Sequence, residues 1–214
     1  MFLKYVLVIC LSLAALPANG QIRAAATEAQ PDFSIVVQGT FDAETLAEFN
    51  RRVQDYAALR NRLEIGLPAL VVTTNADEIE SFERRLAERI RDARGSRRGQ
   101  VFAGAMEGQV KRMLVERVDP DTVALIMEDG PGEFDVDVND TYSKKYPLAT
   151  MPPKLLLLLP DLPPDLQYRF VGRHLILYDG RANIIVDEIP YAIRCRDCVR
   201  TPEHEADDEH PHRP

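Results

Sequence analysis

The sequence contains little cysteine and no tryptophan, and its acidic residues outnumber its basic ones. Three cysteines among 214 residues exclude a dense disulfide scaffold. The formal net charge of −8 argues against nonspecific nucleic-acid binding, because such binding needs a basic surface that releases counterions. A hydrophobic content of 45% excludes a wholly disordered chain, and the length is sufficient for one or two globular domains.

Several signatures of known catalytic and binding sites are also absent from the sequence. It contains no Gly-x-Ser-x-Gly nucleophile motif, no phosphate-binding P-loop, no dinucleotide fingerprint and no His-Glu-x-x-His metal motif. The acidic stretch 135–140 lacks the glycine and the terminal glutamate of an EF-hand loop. Its polar residues alternate with Phe134, Val136 and Val138, which predicts an exposed strand or an extended segment.

Only one apolar run is long, and it lies at the N-terminus. Lys4 precedes the uncharged residues 5–16, and Ala18 and Gly20 place small residues at the −3 and −1 positions of a cleavage site. This arrangement predicts a Sec signal peptide that is cleaved after Gly20. We therefore expect a periplasmic or secreted protein that has no integral membrane span after cleavage. A retained N-terminal anchor is the alternative, and the small residues at the cleavage site disfavour it.

The composition along the chain predicts a domain organisation. We expect a signal peptide (1–20), a flexible leader (21–32), a helical region (33–129), a proline-rich linker with a short helix near 155–159 (130–165), a β-meander (166–193), and a CxxC motif with a disordered acidic tail (194–214).

Apolar residues recur at helical spacing in three stretches of the helical region. Asn75 and Glu78 resemble a capping box at the start of the second stretch, where Gly95 is placed to end the helix. Asp119 and Pro120 supply a cap and a first-turn proline for a short fourth helix. The periodicity therefore predicts helices over residues 42–63, 76–93 and 105–118, followed by this short one.

Three short apolar segments near the C-terminus predict β-strands. They cover residues 166–171, 175–178 and 184–189, and they are separated by Gly172-Arg173 and by Asp179-Gly180-Arg181. Such short connections favour a three-stranded antiparallel meander. A bare meander buries too little apolar surface to be stable alone, so we expect the helices to cover one of its faces. The predicted fold class is α+β, with an N-terminal bundle of three to four helices.

A resemblance supports this expectation. The block Tyr168-Arg169-Phe170-Val171-Gly172-Arg173-His174-Leu175-Ile176-Leu177, continued by Ala182-Asn183-Ile184-Ile185-Val186-Asp187, resembles a block of uncharacterised secreted bacterial proteins. The preceding Met151-Pro152-Pro153 and Leu162-Pro163-Pro164 are similar too. The resemblance implies a secreted domain built from helices and a meander, and it brings no established activity, cofactor or catalytic residue.

Cys195 and Cys198, near the C-terminus, are separated by two residues and form a CxxC motif. Thiols at this spacing can close a small disulfide, supply two zinc ligands or form a redox pair. A redox pair typically follows a βαβ pattern, and here a meander precedes the motif. The further ligands of a metal ion would be His204, His210 and His212 of the acidic tail. The spacing matches no zinc-finger pattern, and a solvated acidic tail is the alternative.

Two other groups of residues are candidates for a functional site. His174 begins the middle strand near Asp179, Asp187 and Glu188, so it can pair with a carboxylate as in a general base. The basic patch is a run of arginines on the second helix and just after it: Arg84, Arg85, Arg89, Arg91, Arg94, Arg97 and Arg98. Such a patch is either a solvated helix face or a surface that binds an anionic lipid, glycan or partner.

The sequence offers surfaces but no assembled catalytic set. It therefore favours an exported, non-enzymatic binding or accessory protein with an envelope or other protein partner, no cofactor and no nucleic acid. The first alternative is a metal-handling or redox protein that acts through Cys195, Cys198 and the tail, with a divalent metal such as zinc. The second alternative is an enzyme that uses His174 in a concave pocket.

Overall fold

Five helices precede three strands in the computed structural model, which describes residues 41–68, 74–130, 132 and 134–194. The helices are α1 (Ala43–Glu64), α2 (Ala76–Ala93), α3 (Ala105–Arg117), α4 (Pro120–Asp129) and α5 (Pro153–Leu156). The strands are β1 (Leu166–Val171), β2 (His174–Asp179) and β3 (Ile184–Ile189). The predicted α+β class is confirmed. The predicted signal peptide, leader, CxxC motif and acidic tail lie outside the described residues.

Helix α1 begins where a side chain satisfies its first free amides. Asp42 accepts hydrogen bonds from the backbone N and the Oγ1 of Thr45, at 2.8 and 2.9 Å. Gln109 of α3 supports this cap, because its Oε1 accepts from the Asp42 amide at 2.9 Å. The helix ends before Gly66, whose φ of 83° lies in the left-handed region that glycine adopts without strain.

Capping residues identified in the sequence also begin α2 and α4. The Asn75 side chain accepts from the Asp77 amide at 3.1 Å and donates to Glu78 Oε1 at 3.0 Å. Asp119 accepts from the Thr122 amide at 2.7 Å, and Pro120 occupies the first turn of α4. Helix α2 ends at Ala93 with Arg94 as its C-cap, so Gly95 lies at the predicted position just after the helix, although it is not among the glycines with a positive φ.

The sheet is an antiparallel meander in the order β1-β2-β3, as predicted. Val171 pairs with His174 across the first turn, and Leu175 pairs with Ile189. An irregularity in the ladder between Leu177 and Tyr178 leaves Val186 as an extra residue on β3. Because of this bulge, simple alternation along β3 does not predict which face of the sheet the residues on either side of Val186 occupy.

One face of the sheet packs against the helices and forms the main hydrophobic core. Phe49 of α1 stacks on Phe102 at 5.8 Å between ring centroids, and Phe102 stacks on Tyr168 of β1 at 6.4 Å. The core also includes Leu86 and Ile90 of α2, both 0% exposed. The expectation that the helices cover one face of the meander is therefore confirmed.

The opposite face is covered by residues 134–146, which we call the strap. Phe134, Val136 and Tyr142 of the strap pack in a second apolar cluster with the outer side chains of the sheet. The strap also pairs with the free edge of β3, since the Asn139 amide donates to Ile185 O at 2.7 Å and the Tyr142 amide donates to Asn183 O at 3.2 Å. The predicted alternation is present, but this segment is extended chain with one isolated bridge rather than a strand.

The short helix of the proline-rich region differs from the prediction for residues 155–159. Helix α5 covers Pro153–Leu156, because Pro153 favours the first helical turn. Leu155 and Leu159 are buried, whereas Leu156 and Leu157 are 46% and 41% exposed. The leucine run thus has one buried side only. Among the described helices, none combines the length and the apolarity that crossing a membrane requires.

Candidate functional site

A cavity of about 290 Å³ lies between helix α1 and the loop that follows helix α2. Its α1 side chains recur at steps of three and four residues, so they share one side of the helix. The lining residues are Arg51, Arg52, Asp55, Tyr56, Leu59, Arg94, Gln100 and Val101. Three guanidinium groups and one tyrosine ring therefore meet in a single small cavity.

Arg94, the residue that follows α2, is held in the cavity wall by neutral acceptors. Its Nε and Nη2 donate to Gln100 Oε1 at 3.2 and 2.9 Å. Its Nη1 donates to Asn139 Oδ1 and to Val186 O, each at 3.0 Å. The guanidinium carbon lies 5.2 Å from the centroid of the Tyr56 ring. Burial lowers the pKa of Arg94, and no described carboxylate forms an ion pair with it.

Arg51 and Arg52 have carboxylate partners on their own helix. Arg51 pairs with Glu48 at 2.8 Å and with Asp55 at 2.9 Å. Arg52 Nε donates to Glu48 Oε1 at 2.6 Å, and its Nη1 donates to Gln100 O at 2.9 Å. Hydrogen bonds from Arg51 and Arg52 hold the pKa of Glu48 below its ordinary value. These two arginines therefore have hydrogen-bonded carboxylate partners, whereas the charge of the buried Asp187 acts on Arg94 without a described ion pair.

Tyr56 connects the cavity to the sheet. Its hydroxyl donates to Asp179 Oδ2 at 2.7 Å, and Asp179 is 0% exposed. The same carboxylate accepts from the Arg181 amide at 2.9 Å and lies 3.5 Å from Arg60 Nη1. Burial and the charge of Asp179 raise the pKa of Tyr56 far above its ordinary value. The tyrosine is therefore a neutral phenol that has already used its proton in a hydrogen bond.

The loop on the other side of the cavity is organised by Asp187 of β3. Its carboxylate accepts hydrogen bonds from the amides of Gly99, Val101 and Phe102, at 2.8, 2.6 and 2.9 Å. Asp187 is 0% exposed, so these bonds form away from water. They fix the backbone on which Gln100 and Val101 contribute to the cavity.

The cavity lining is dominated by groups that bind anions. Among the described residues that line it there is no serine, threonine, cysteine, lysine or histidine. The phenol of Tyr56 stays protonated and donates a hydrogen bond to Asp179, so it is not an activated nucleophile. What the cavity does contain is guanidinium groups in fixed positions, and these groups recognise anions.

The predicted arginine patch is divided among several structural roles. Arg89 Nη1 donates to Leu63 O at 2.7 Å at the end of α1. Arg91 Nε donates to Asn139 O of the strap at 2.8 Å. Arg98 pairs with Glu107 at 3.0 Å, and Arg94 lines the cavity. Glu80 of α2 forms an ion pair with Lys144 of the strap at 3.1 Å rather than with an arginine of the patch. The exposed remainder of the patch is Arg84, Arg85 and Arg97.

Sequence analysis did not identify the cavity. The sequence singled out neither Arg51 and Arg52 of the first helix nor Gln100 of the later loop. The available signal was the repeat of arginine, aromatic and apolar residues at helical spacing, which alone predicts only an amphipathic helix. The second wall comes from a loop much further along the chain, since Arg52 and its hydrogen-bond partner Gln100 are 48 residues apart.

His174 forms the carboxylate pair that the sequence allowed. Its Nδ1 donates to Glu188 Oε2 at 2.9 Å, and the side chains are 23% and 12% exposed. Asp179 and Asp187 engage partners on the helix-covered side of the sheet instead. The His174 ring lies 5.2 Å from that of Tyr191. No described serine or threonine hydroxyl contacts His174, and the arginine-lined cavity does not include it.

The candidate metal ligands Cys195, Cys198, His204, His210 and His212 lie outside the described residues, so their predicted role stays a prediction. Within the described residues there is no group of three or more metal-ligating side chains. Asn139 of the acidic stretch is 4% exposed and is bonded to Arg94 and Arg91. Its oxygens are therefore occupied by cationic side chains.

Comparison of the chain with protein-family models, curated proteins and solved structures finds no match. The class to which the molecule belongs is therefore defined by its own features: an α+β domain with a small, arginine-lined cavity.

Proposed function

We propose that this chain is an exported, non-enzymatic binding protein of the bacterial envelope that takes up a small anionic ligand in its arginine-lined cavity. The observation that carries the proposal is Arg94, a guanidinium fixed by four hydrogen bonds to neutral oxygens in the cavity wall. A cation whose hydrogen bonds go to neutral oxygens, with no described carboxylate bonded to it, is suited to an anion that arrives from solution. The signal-like N-terminus and the resemblance to secreted bacterial proteins support export.

Export is tested by expressing the chain with its own N-terminus in a bacterial host and by determining where the protein accumulates. We expect a periplasmic protein whose sequence begins at Gln21. A Leu13→Arg variant interrupts the apolar run and is expected to stay in the cytoplasm, whereas Leu13→Ile is exported normally. A wild-type protein found in the cytoplasm with residues 1–20 intact would contradict the proposed export.

Binding is tested by equilibrium dialysis of the purified protein against a mixture of small anionic, neutral and cationic metabolites. We expect the protein to retain at least one anion and to release it chemically unchanged. Leu59→Trp fills the cavity and should abolish this retention, whereas Leu125→Trp places the same side chain on an exposed position of α4 outside the lining. Equal retention by both variants, or conversion of the ligand, would refute the proposal.

Metal handling is the second candidate function, and Cys195 and Cys198 with the three histidines of the tail are the observation that favours it. Neutral imidazole and thiolate ligands suit borderline divalent ions such as zinc. This function would reside in a different part of the chain from the cavity, so the two candidates are tested separately.

A further inference from the structure

We infer that the protein binds the surface of an anionic lipid bilayer through residues 144–157, which we call the Lys–Leu segment. The large apolar side chains that this segment exposes would enter the boundary between headgroups and acyl chains, and its lysines would lie among the headgroups. None of its residues lines the arginine-lined cavity, so the inference goes beyond the proposed function and does not depend on it.

The charge pattern of the Lys–Leu segment is opposite to that of the whole chain. Acidic residues outnumber basic ones 34 to 26 in the chain, yet no acidic residue lies between Asp140 and Asp161. Three of the five lysines, Lys144, Lys145 and Lys154, lie in this interval. Lysines near a membrane surface are attracted to anionic headgroups. Charges more than a Debye length of about 8 Å away are largely screened at physiological salt, so the local lysines govern the contact.

The three lysines are not equally available to a headgroup. Lys144 forms ion pairs with two glutamates of α2, each at 3.1 Å, so its charge is largely neutralised. The charge of Lys154 acts on Asp119, the cap of α4, but the two side chains form no ion pair within the described part of the chain. Lys145 is exposed, and none of the described carboxylates pairs with it. Lys145 and Lys154 therefore supply the attraction.

Exposed apolar side chains are concentrated in the same segment. Eight large hydrophobic residues are exposed in the described part of the chain, and four of them belong to the segment. These four are Tyr146, Leu148, Leu156 and Leu157, which are 39%, 44%, 46% and 41% exposed. Single exposed apolar residues are ordinary on a protein surface, whereas a concentration of them marks a contact surface.

Buried neighbours hold these side chains at the surface. Met151 and Leu155 belong to the main core, and the Leu156 amide donates to Pro152 O at 3.3 Å at the start of α5. Four residues of extended chain place Leu148 no more than about 14 Å from Pro152, and the helical turn to Leu156 adds about 6 Å. The exposed leucines therefore lie within about 20 Å of one another on an anchored backbone, which lowers the cost of ordering them on binding.

The composition of the segment favours a bilayer over a protein partner. Lysine is depleted at protein interfaces, whereas lysine beside exposed leucine and an aromatic residue is typical of surfaces that lie at a membrane interface. The Tyr146 ring stacks on Phe134 at 4.4 Å between centroids, which fixes an aromatic side chain beside Lys145. Leu155 and Leu159 are buried in the protein, so the leucine run can only contact the bilayer surface.

The inference is tested by sedimenting the full-length processed protein with sucrose-loaded vesicles of equimolar phosphatidylglycerol and phosphatidylcholine. Vesicles of phosphatidylcholine alone are the comparison. We expect saturable binding to the anionic vesicles that is at least about tenfold tighter than binding to the neutral ones and that weakens as salt is added. No binding to the anionic vesicles, or equal binding to both, would overturn the inference.

Two matched double substitutions assign the electrostatic part of the contact. Lys145→Gln/Lys154→Gln removes two positive charges from the segment and should weaken binding to the anionic vesicles about tenfold. Arg84→Gln/Arg85→Gln removes the same charge from the exposed part of the arginine patch on α2 and should weaken binding by less than about twofold. An equal loss in the two variants would show that overall charge, rather than the segment, determines binding.

The absence of tryptophan from the chain allows the apolar contact to be observed directly. A single tryptophan introduced as Leu157→Trp should show blue-shifted fluorescence when anionic vesicles are added, because the indole leaves water. Ile65→Trp places the same probe at an exposed residue outside the segment, and its emission should stay unchanged. A shift at Ile65→Trp but not at Leu157→Trp would place the contact elsewhere on the molecule.

The exposed leucines are tested with Leu156→Ser/Leu157→Ser, which should weaken vesicle binding about tenfold because less apolar area is removed from water. Both side chains are exposed, so we expect the urea unfolding midpoint to match that of the wild type. The competing occupant is a second copy of the chain. Self-association that this variant abolishes, in a wild-type protein that does not bind vesicles, would make the segment an interface between copies and contradict the inference.

Discussion

Two buried aspartates join the sheet to segments that are distant in the sequence. Asp179 accepts a hydrogen bond from the hydroxyl of Tyr56, which lies 123 residues earlier in the sequence. Asp187 accepts hydrogen bonds from three backbone amides of the loop that follows α2. Both carboxylates are 0% exposed, and a buried polar group costs stability when its partner is lost. Single polar residues thus position the walls of the cavity, which the apolar core alone would not orient.

Replacing Asp187 by asparagine tests whether its carboxylate organises the loop that follows α2. Asp187→Asn replaces one acceptor oxygen with an NH₂ group that faces two N–H donors in either orientation. We expect the free energy of unfolding, measured in urea, to fall by about 3 kcal/mol. The amides of Val101 and Phe102 should also exchange hydrogen faster. Asp135→Asn, at an exposed position of the strap, is the control and should change stability by less than about 0.5 kcal/mol. A loss in Asp187→Asn no larger than in this control would show that the carboxylate does not organise the loop.

The partner of His174 illustrates what a sequence can and cannot predict about a site. The sequence allowed a pair with Asp179, Asp187 or Glu188, because all three are close to it along the meander. Adjacent residues of a strand point to opposite faces, so at most one of Asp187 and Glu188 can reach the imidazole. Which of them does so depends on the bulge at Val186, and a bulge follows from three-dimensional packing rather than from alternation.

At the scale of elements, an ion pair connects the end of α1 to the β2–β3 turn. Arg181 Nε donates to both oxygens of Glu64, at 3.1 and 3.0 Å, and its guanidinium lies 5.0 Å from the centroid of the Phe82 ring. The hydrogen bond from Arg181 lowers the pKa of Glu64 below its ordinary value of 4.5. The pair therefore links two helices and a turn through one guanidinium.

This pair predicts a specific acid dependence of stability. A carboxylate with a depressed folded-state pKa contributes stability above its unfolded pKa and loses it as the pH falls through the folded value. We expect the free energy of unfolding to decline as the pH falls below the ordinary Glu64 value of 4.5. Glu64→Gln should be less stable at pH 7 and should lose less on acidification. Glu116→Gln, an exposed and unpaired position, should follow the wild-type curve. An unchanged acid dependence in Glu64→Gln would rule out the pair as its source.

The elements differ in how far the sequence predicts them. Helices α1 to α3 and the three strands were predicted within one or two residues of their ends, and the start of α4 was predicted at Pro120, because periodicity and capping residues such as Asp119 are local signals. Residues 134–138 of the strap were predicted as an exposed strand or an extended segment, and the pairing with the edge of β3 was not predicted because that edge lies some 45 residues later. Helix α5 was placed two residues too late because the leucine run outweighed the signal of Pro153.

The cavity shows the same limit for function. Arg94 was named as one of seven arginines at the end of a helix, and its role depends on acceptors supplied by Gln100, Asn139 and Val186. Their convergence is a property of the folded molecule and has no counterpart in residue spacing. The sequence therefore predicted one residue of the site without predicting the site.

At the scale of the whole molecule, the sheet is the central layer. Helices pack on one face through the main core, and the strap closes the other through a separate apolar cluster. Arg91 and Lys144 join the strap to α2 through Asn139 O and Glu80. The sheet is thus enclosed by parts of the chain that precede it.

The mass of the intact processed protein tests the state of the C-terminal thiols. We expect a metal-free protein whose mass is two hydrogens short of the reduced value, because a disulfide between Cys195 and Cys198 persists in an exported protein. The native mass spectrum is recorded before and after denaturation, with Cys195→Ser/Cys198→Ser as the control. A divalent ion that is retained natively and lost on denaturation would contradict this and support metal handling. Truncation of residues 201–214 would then show whether the tail histidines hold the ion.

The position of the meander in the chain has a consequence for the time at which the molecule can fold. Asp179 is synthesised 123 residues after Tyr56, its hydrogen-bond partner. At roughly 5–20 residues per second, this interval lasts about 6 to 25 seconds. In the last part of this interval, after Asp129 has been added, the apolar sides of α1 to α4 have been made but the sheet that covers them has not. The main core, which joins these helices to the strands, can therefore be completed only after the last strands have been synthesised.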